Sequence, residues 1–522
     1  MKLKKIIYLA SFSFLLLAMG SCKKEKFDIN ANPDDVTDVS VNPQVLLPAA
    51  QQVTSDIVAT NFTFLQMWMG YWARSGSYQS LGEIETYKFA NDFQVGVWNN
   101  LYSNANNYHI MMTKAKASGA AFYEAVGRIM KTHNFQMLVD IYNNVPYFEA
   151  FQGTAIPTPK YDKGADIYKD LFKQLDTAIA LLKSPAAADL SLNPEKATAD
   201  LVYAGNTTNW IKFANTLRLR MIMHLHNGIN ATQVVPGFDI AEQVGKITSE
   251  GFMTTAAESA HLNPGFSGSK PQPFYRRYVT NENGTGSQND VVRANEYAIE
   301  YYKYDGDPRI NRFYVSPNGT TAGQKGIPFG QPSGDDNFIG SKLSTVRGPG
   351  YSPNGAASRA WIMTNVESLF LQAEAKQRGL NISTSTPKAL LTSAIRESFV
   401  WLGLTSAQAD SYIAGNATYE DVDIDAAGGG LFTILSQKWF ALNGIAVYEI
   451  WTDFRRTDYV LGDTPNIGYD PGPPISVDPG NSSTVIPRRL LYPQNEYNYN
   501  AANVGAQGTI NQFTGRIFWD LN

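Results

Sequence analysis

The residue with the most distinctive chemistry stands near the start of the chain. Cys22 is the only cysteine, and it follows Gly20 and Ser21, an apolar run from Ile6 to Met19, and a basic opening of Lys2, Lys4 and Lys5. That is the layout of a secretory leader ending at small residues. The run is too short to stay as a spanning helix, which takes about 20 residues. A unique thiol directly behind small residues is the acceptor expected for a diacylglyceryl group in a bacterial lipoprotein. Cleavage before Cys22 then frees an amine for a further acyl chain. Each buried CH₂ is worth about 0.8 kcal/mol, and stable anchoring takes more than one chain, which a triacylated Cys22 would supply. With its only thiol consumed, the chain has neither a disulfide nor a thiol nucleophile.

The other groups that could do chemistry are scattered. There are five histidines, and His224 and His226, two apart, do not share a helix face. His133 falls on an apolar helical stripe, where a hydrogen-bonded core residue is expected rather than a ligand. Asp305-Gly306-Asp307-Pro308-Arg309 has the opening of a Ca²⁺ loop but lacks the remaining acidic spacing and closing Glu, so a helix-ending turn is expected. Glu367 and Glu374 lie two helical turns apart and read as structural charge partners, not as an acid–base pair. The sequence holds no H-E-x-x-H, G-x-S-x-G, P-loop or complete G-x-G-x-x-G pattern. No metal constellation and no cofactor are expected. A glycosidase needs only two carboxylates brought together in space, so a surface glycoside hydrolase or other degradative enzyme is the alternative reading.

Binding chemistry is better represented. Aromatic residues make up 12 % of the chain and charged residues 17 %. One cluster holds Trp68, Tyr71, Trp72 and Tyr78; a second holds Tyr87, Phe89, Phe93, Trp98 and Tyr102. Trp68 and Trp98 are expected in the core, because aromatic side chains at helical spacing bury. Trp72 and Tyr78 sit beside Arg74, Ser75, Gly76 and Ser77, a polar, loop-like setting that predicts exposure. The formal charge is −4, and three lysines precede Cys22, which leaves the remainder near −7. No basic stripe marks a nucleic-acid binder.

These residues need a scaffold. Residues 23–45 are polar and broken by Pro33 and Pro43, and read as an extended tether. Helical periodicity starts at Leu46 and recurs over 122–142, 165–183, 207–227, 361–378, 387–402, 405–414 and Leu431–Arg455. Arg218 and Arg220 fall off the apolar stripe of their helix. Loop-joined helices with one wet face each predict stacked helical pairs, although no clean 34-residue period is present. Residues 253–360 are rich in Gly, Pro, Ser and Asn, with one short helix expected at 290–304. Loops of that length in a compact body are usually functional. The expected organisation is a leader over 1–21, a lipidated tether over 22–45 and a single body over 46–522.

A series of short stretches runs in a consistent order: SCKKEKFDINANPDDVT, LLPAAQ, WNNLY ending at Tyr102, DIYNNVPY from Asp140, YKDLFKQLDTAIALL from Tyr168 and WIKFANTLRLR from Trp210. It continues with Asp307-Pro308-Arg309, ESLFLQAEA from Glu367, QKWFALN from Gln437, EIWTDFRR from Glu449 and IPRRLLYP from Ile486. In these the chain resembles the SusD/RagB family of surface lipoproteins. The resemblance implies a mostly α fold: a single α-helical body with tetratricopeptide-like helix pairs and long irregular loops. It also implies a place on the outer membrane and a SusC-like TonB-dependent β-barrel transporter as partner. The function implied is binding, without chemistry, of a nutrient that is an oligosaccharide or a peptide. Family sites combine the early aromatic region with the middle loops. That points to Trp72, Tyr78, Phe274, Tyr275 and Tyr278 as stacking residues, with Arg74 as their polar partner.

Overall fold

The computed structural model describes residues 42–226, 234–263, 265–279, 290–347, 355–457 and 472–520. The chain divides into two units at Asn42–Pro43, and the second, Pro43–Asn522, is compact. The leader, Cys22 and most of the expected tether lie outside the described residues. Pro43, expected as part of an extended stretch, is already the first residue of α1 (Pro43–Thr60). Proline suits a helix start, where its missing N–H is not needed.

The second unit is built on helices whose apolar residues recur every three or four positions. In α1, Leu47, Ala50, Thr54 and Ile57 are buried in that spacing. After α2 (Thr63–Trp68), two long helices form a hairpin, α3 (Val95–Ser118) and α4 (Ala121–Tyr142). Gly127 lets them close: a Cβ there would lie 3.2 Å from the Tyr108 carbonyl oxygen and 3.0 Å from Met112 Cβ. α4 is covered on every side, which explains why nearly all its residues are buried. It packs next against α5 (Gly164–Lys183), and α5 against α6 (Thr207–Leu225). α4, α5 and α6 lie within two residues of the expected bounds, whereas the long α3 was not among the expected helices.

The second half begins with the short α7 (Pro273–Tyr278) and α8 (Glu296–Tyr304), then α9 (Asn365–Gln377), α10 (Pro387–Trp401), α11 (Ser406–Gly415), α12 (Leu431–Leu442) and α13 (Val447–Thr457). Two expectations are corrected here. The helix expected from 361 starts at Asn365, because Trp361–Met363 is a strand and the Thr364 side chain accepts from the Glu367 N–H as an N-cap. The helix expected to run from Leu431 to Arg455 is broken after Leu442. Gly444 takes φ +69°, its N–H reaches Gln66 Oε1, and the Asn443 amide donates to the Tyr314 hydroxyl at 2.9 Å. The break lets α13 turn back against α2.

The loop-rich middle supplies a small antiparallel sheet in the order β1 (Trp72–Arg74), β3 (Val292–Ala294), β5 (Thr345–Val346), β4 (Tyr314–Val315), and a separate pair, β2 (Ala260–His261) with β6 (Trp361–Met363). The helix expected at 290–304 is therefore β3 followed by α8, whose N-cap Asn295 accepts from the Tyr297 N–H at 3.0 Å. Trp68 and Trp98 are buried as expected; Trp68 stacks on Phe89 and Phe93 and meets Trp451 edge-on.

Buried ion pairs cross the interior. Arg218 and Arg220 are not on a wet face. Arg220 Nε donates to Glu367 Oε1 at 2.8 Å, and Arg218 bonds Asp176 and Gln243. Asp140 accepts from Trp519 Nε1 at 2.7 Å and from the Tyr448 hydroxyl at 2.8 Å, beside His224 at 3.1 Å. Arg309 is clamped to Asp307 and bonds Ser398 and Gln437, so the Asp305–Arg309 stretch is the expected structural turn. Among the described residues no group of three His, Cys, Asp or Glu is placed to hold a metal, and no helix is long and apolar enough to cross a membrane.

Candidate functional site

The early aromatic region and the middle loops do meet, through β1–β3 pairing. Trp72 lies opposite Ala294 and Arg74 opposite Val292. On the other side, α7 presents Phe274 and Tyr278 at i and i+4, the spacing that puts two side chains on one helix face. Both rings meet Trp72 edge-on, with centroids 5.7 Å and 4.9 Å from it.

That meeting buries the residues it joins. Trp72, Phe274 and Tyr278 keep 1 %, 1 % and 2 % of their surface, which corrects the expectation of exposed stacking platforms. Burial pushes the Tyr278 hydroxyl up. Arg74 is corrected likewise: it is a buried staple, not a ligand partner. Its Nε donates to Glu85 Oε1 at 2.9 Å, its Nη2 donates to the Gln331 carbonyl at 2.7 Å, and its Nη1 reaches the Tyr78 carbonyl. Tyr275 is half-buried on α7. Tyr78 alone of the six is exposed, at 40 %.

The cluster still forms part of a cleft of about 350 Å³. Phe64, Met67, Trp72 and Tyr278 contribute its apolar wall, with Leu81, Ile84 and Val292. Its polar lining is Thr60, Asn61, Thr63, Gln94 and Arg277. Gaps of 300–1,000 Å³ that are mostly apolar with a few placed polar groups are the usual form of small-molecule sites. α1 ends at Thr60 and places Asn61 at the opening, where Asn61 Oδ1 accepts from Asn100 Nδ2 at 3.3 Å. Gln94 is held at φ +52°, an uncommon conformation for a residue with a side chain. Arg277 is exposed and lies 5.7 Å from the Tyr278 ring centroid, a cation–π distance.

Thr60, Asn61, Gln94 and Arg277 carried no signal as singletons in the sequence. Gln94 was nearest to one, since it opens the helix that carries the WNNLY stretch. Glu367 and Glu374 do not line this cleft and are engaged by Arg220 and Arg456. His133 is buried, and burial lowers its imidazole to about 3, so it stays neutral in the core.

Comparison with known proteins agrees with this architecture. No curated protein matches the chain in sequence. Among solved structures, a chitin-binding protein superposes with a TM-score of 0.69 at 24 % identity, covering 92 % of this chain and 100 % of that one. A chitin-binding SusD homologue from Flavobacterium johnsoniae gives 0.69 at 22 % identity, over 91 % and 99 %. A Bacteroides vulgatus protein described as a candidate outer membrane protein gives 0.72 at 21 % identity, over 92 % and 100 %. At these identities the likeness establishes the fold. Residues 33–493 match the model of a SusD-like family described as starch-binding and associating with the outer membrane, and the chain belongs to that family.

Proposed function

We propose that this protein is a cell-surface lipoprotein, anchored through Cys22, that binds a nutrient oligosaccharide and passes it to a SusC-like TonB-dependent transporter in the outer membrane. The observation that carries the reading is the cleft between α1, β1, α7 and the start of α3. It has an apolar wall for the C–H face of a sugar and amide, hydroxyl and guanidinium groups at the rim for its hydroxyls. The family description, starch-binding and outer-membrane-associated, supports a glycan. The chitin-binding relatives support an N-acetylated sugar as the first ligand to try. The Cys22 leader supports a lipid anchor, and with it attachment beside a barrel. A peptide would use the same rim chemistry and is the other nutrient to include. The engagement of Glu367 and Glu374 by arginines favours binding without hydrolysis, as in a non-enzymatic carrier.

Two measurements test the reading. Tagged protein extracted from native membranes in mild detergent is expected to bring down a large β-barrel transporter in equal amount. Calorimetric titration with chitohexaose, maltohexaose and a mixed peptide pool is expected to give saturable glycan binding without product release. Recovery of the lipoprotein alone, together with turnover of any of these substrates, would overturn it in favour of a degradative enzyme.

A further inference from the structure

A second aromatic face lies on segments that the first cleft does not use. Tyr304 ends α8, and Tyr419 lies in the turn beyond α11; their rings stack with centroids 5.5 Å apart and planes 25° from parallel. Tyr304 is 42 % exposed and Tyr419 37 %, whereas Tyr297, Tyr301 and Tyr302 on the same helix as Tyr304 are buried. Leaving two large rings in water forgoes about 25 cal/mol for every Å² of apolar surface that could have been covered.

The pair is held firmly. The Tyr419 N–H donates to the Asn416 carbonyl at 3.0 Å. The Asn416 amide in turn donates to the Asp305 carbonyl at 3.0 Å and the Tyr412 carbonyl at 2.9 Å. The two turns that carry the rings are thus tied to one another. Next to them opens a shallow cleft of about 580 Å³, lined by Asp305, Gly306, Gln408, Ser411, Tyr412 and Asn416. Its lining mixes amide, hydroxyl and carboxyl groups with the apolar Pro308 and Ala407. Burial, and then the neighbouring charges of Asp421 and Asp307, push the Asp305 carboxyl far above the usual carboxylate range.

The geometry points to a second carbohydrate-contact face, in which a pyranose ring lies on the Tyr304–Tyr419 pair and its hydroxyls reach the amide and hydroxyl groups of the adjoining cleft. The inference rests on the glycan reading of the first cleft and extends it. An open face with stacking rings suits one sugar of a long chain passing over the surface. A polymer gripped at two separated points gains affinity through effective concentration, without any new contact at either. The first cleft would then hold the segment to be delivered, and the tyrosine pair would retain the rest of the chain.

The test compares short and long glycans on the full-length protein. Chitotriose and maltotriose are measured by calorimetry, and glycol chitin and soluble starch by affinity electrophoresis. Replacing both rings, Tyr304→Ala with Tyr419→Ala, is expected to weaken binding of the polymer about tenfold or more and to change trisaccharide binding less than about twofold. The Tyr304→Phe, Tyr419→Phe protein keeps the rings and is expected to bind polymer as the wild type does. Should the alanine pair fail to fold, the single Tyr419→Ala protein is the readout, with weakened polymer binding and unchanged trisaccharide binding expected and unchanged polymer binding overturning the second face. Polymer binding unchanged in the alanine pair, or lost equally in the phenylalanine pair, would overturn the second face and leave the first cleft standing. Failure of the wild type to bind any of the four glycans would remove both readings together.

Discussion

Arg456 grips Glu374 in a fork: Nη1 reaches Oε1 and Nη2 reaches Oε2, each at 2.6 Å, and neither side chain has any exposed surface. Asp453 joins at 2.7 Å, Lys438 pairs with Asp453 at 2.8 Å, and Arg378 covers the remaining side of Glu374. The pair links α9 to α13, two helices distant in sequence. Removing one member of such a pair strands the other charge in a dry interior, at a cost of about 3–5 kcal/mol. Glu374→Gln and Arg456→Met are each expected to lose stability of that order in denaturant unfolding. Burial alone would push the Glu374 carboxyl up, but Arg456 and Arg378 overcome it and hold the group far below the usual range. A depressed carboxylate stabilises the fold above its unfolded pKa, and that stabilisation drains away as pH falls below about 4.5. Wild-type stability is therefore expected to drop steeply through acid pH, and the drop to be shallower in Glu374→Gln.

His224 behaves with the opposite sign. It sits between Asp140, 3.1 Å from Nδ1, and Glu449, 3.0 Å from Nε2, fully buried. Burial works to lower its pKa, but the two carboxylates outweigh burial and raise it to about 8. A histidine raised above its unfolded value of about 6.5 contributes fully below that value and loses its contribution as pH rises through the folded pKa. The stability gap between wild type and His224→Gln is expected to be widest near pH 6 and to narrow by about 2 kcal/mol above pH 8. Paired urea titrations at several pH values check this; a gap that widens with pH would show that the imidazole is held neutral.

The helices were legible because their apolar residues repeat every three or four positions, and α4, α5 and α6 run where that repeat placed them. What the repeat could not show was what covers the other face. Arg218 and Arg220 fall off the apolar stripe of α6, yet α5, α9 and α13 supply Asp176, Glu367 and Glu449 to receive them. Trp72 was misread for the same reason. Its polar sequence neighbours signalled a wet loop, while its burial comes from β3 and α7, more than two hundred positions away along the chain. The candidate cleft was legible as a pairing of two regions, the early aromatics and the middle segment. Its rim was not: Asn61 and Gln94 acquire meaning only when the end of α1 and the start of α3 come together.

Trp72 and Tyr78, six positions apart, are expected to respond differently to the same substitution. Trp72→Ala empties a site enclosed by Phe274 and Tyr278 and is expected to cost about 3–5 kcal/mol in unfolding free energy. Tyr78 is exposed at 40 %, and its carbonyl, not its ring, holds Arg74. Tyr78→Ala is expected to change stability by no more than about 0.5 kcal/mol, as surface substitutions do. Equal losses in the two variants, measured by the same denaturant titration, would contradict the burial that separates them.

The rim of the cleft gives the most direct check on ligand binding. The Asn61 side chain makes long hydrogen bonds, 3.3 Å from Asn100 and 3.5 Å to the Gly96 carbonyl, so its amide can turn to a ligand at little cost. Losing a hydrogen bond to a neutral partner costs about 0.5–1.5 kcal/mol, and more when a ligand group is left unsatisfied in the site. Asn61→Ala is therefore expected to weaken trisaccharide binding about three- to tenfold, with the melting temperature almost unchanged. Arg277→Met keeps most of the apolar stem beside Tyr278 but removes the guanidinium. For a neutral sugar its effect is expected to be of similar size and nearly independent of salt. An Arg277 effect that collapses in 0.5 M salt would instead identify an anionic ligand, because screening over about 4 Å acts on charge pairs and leaves neutral hydrogen bonds in place.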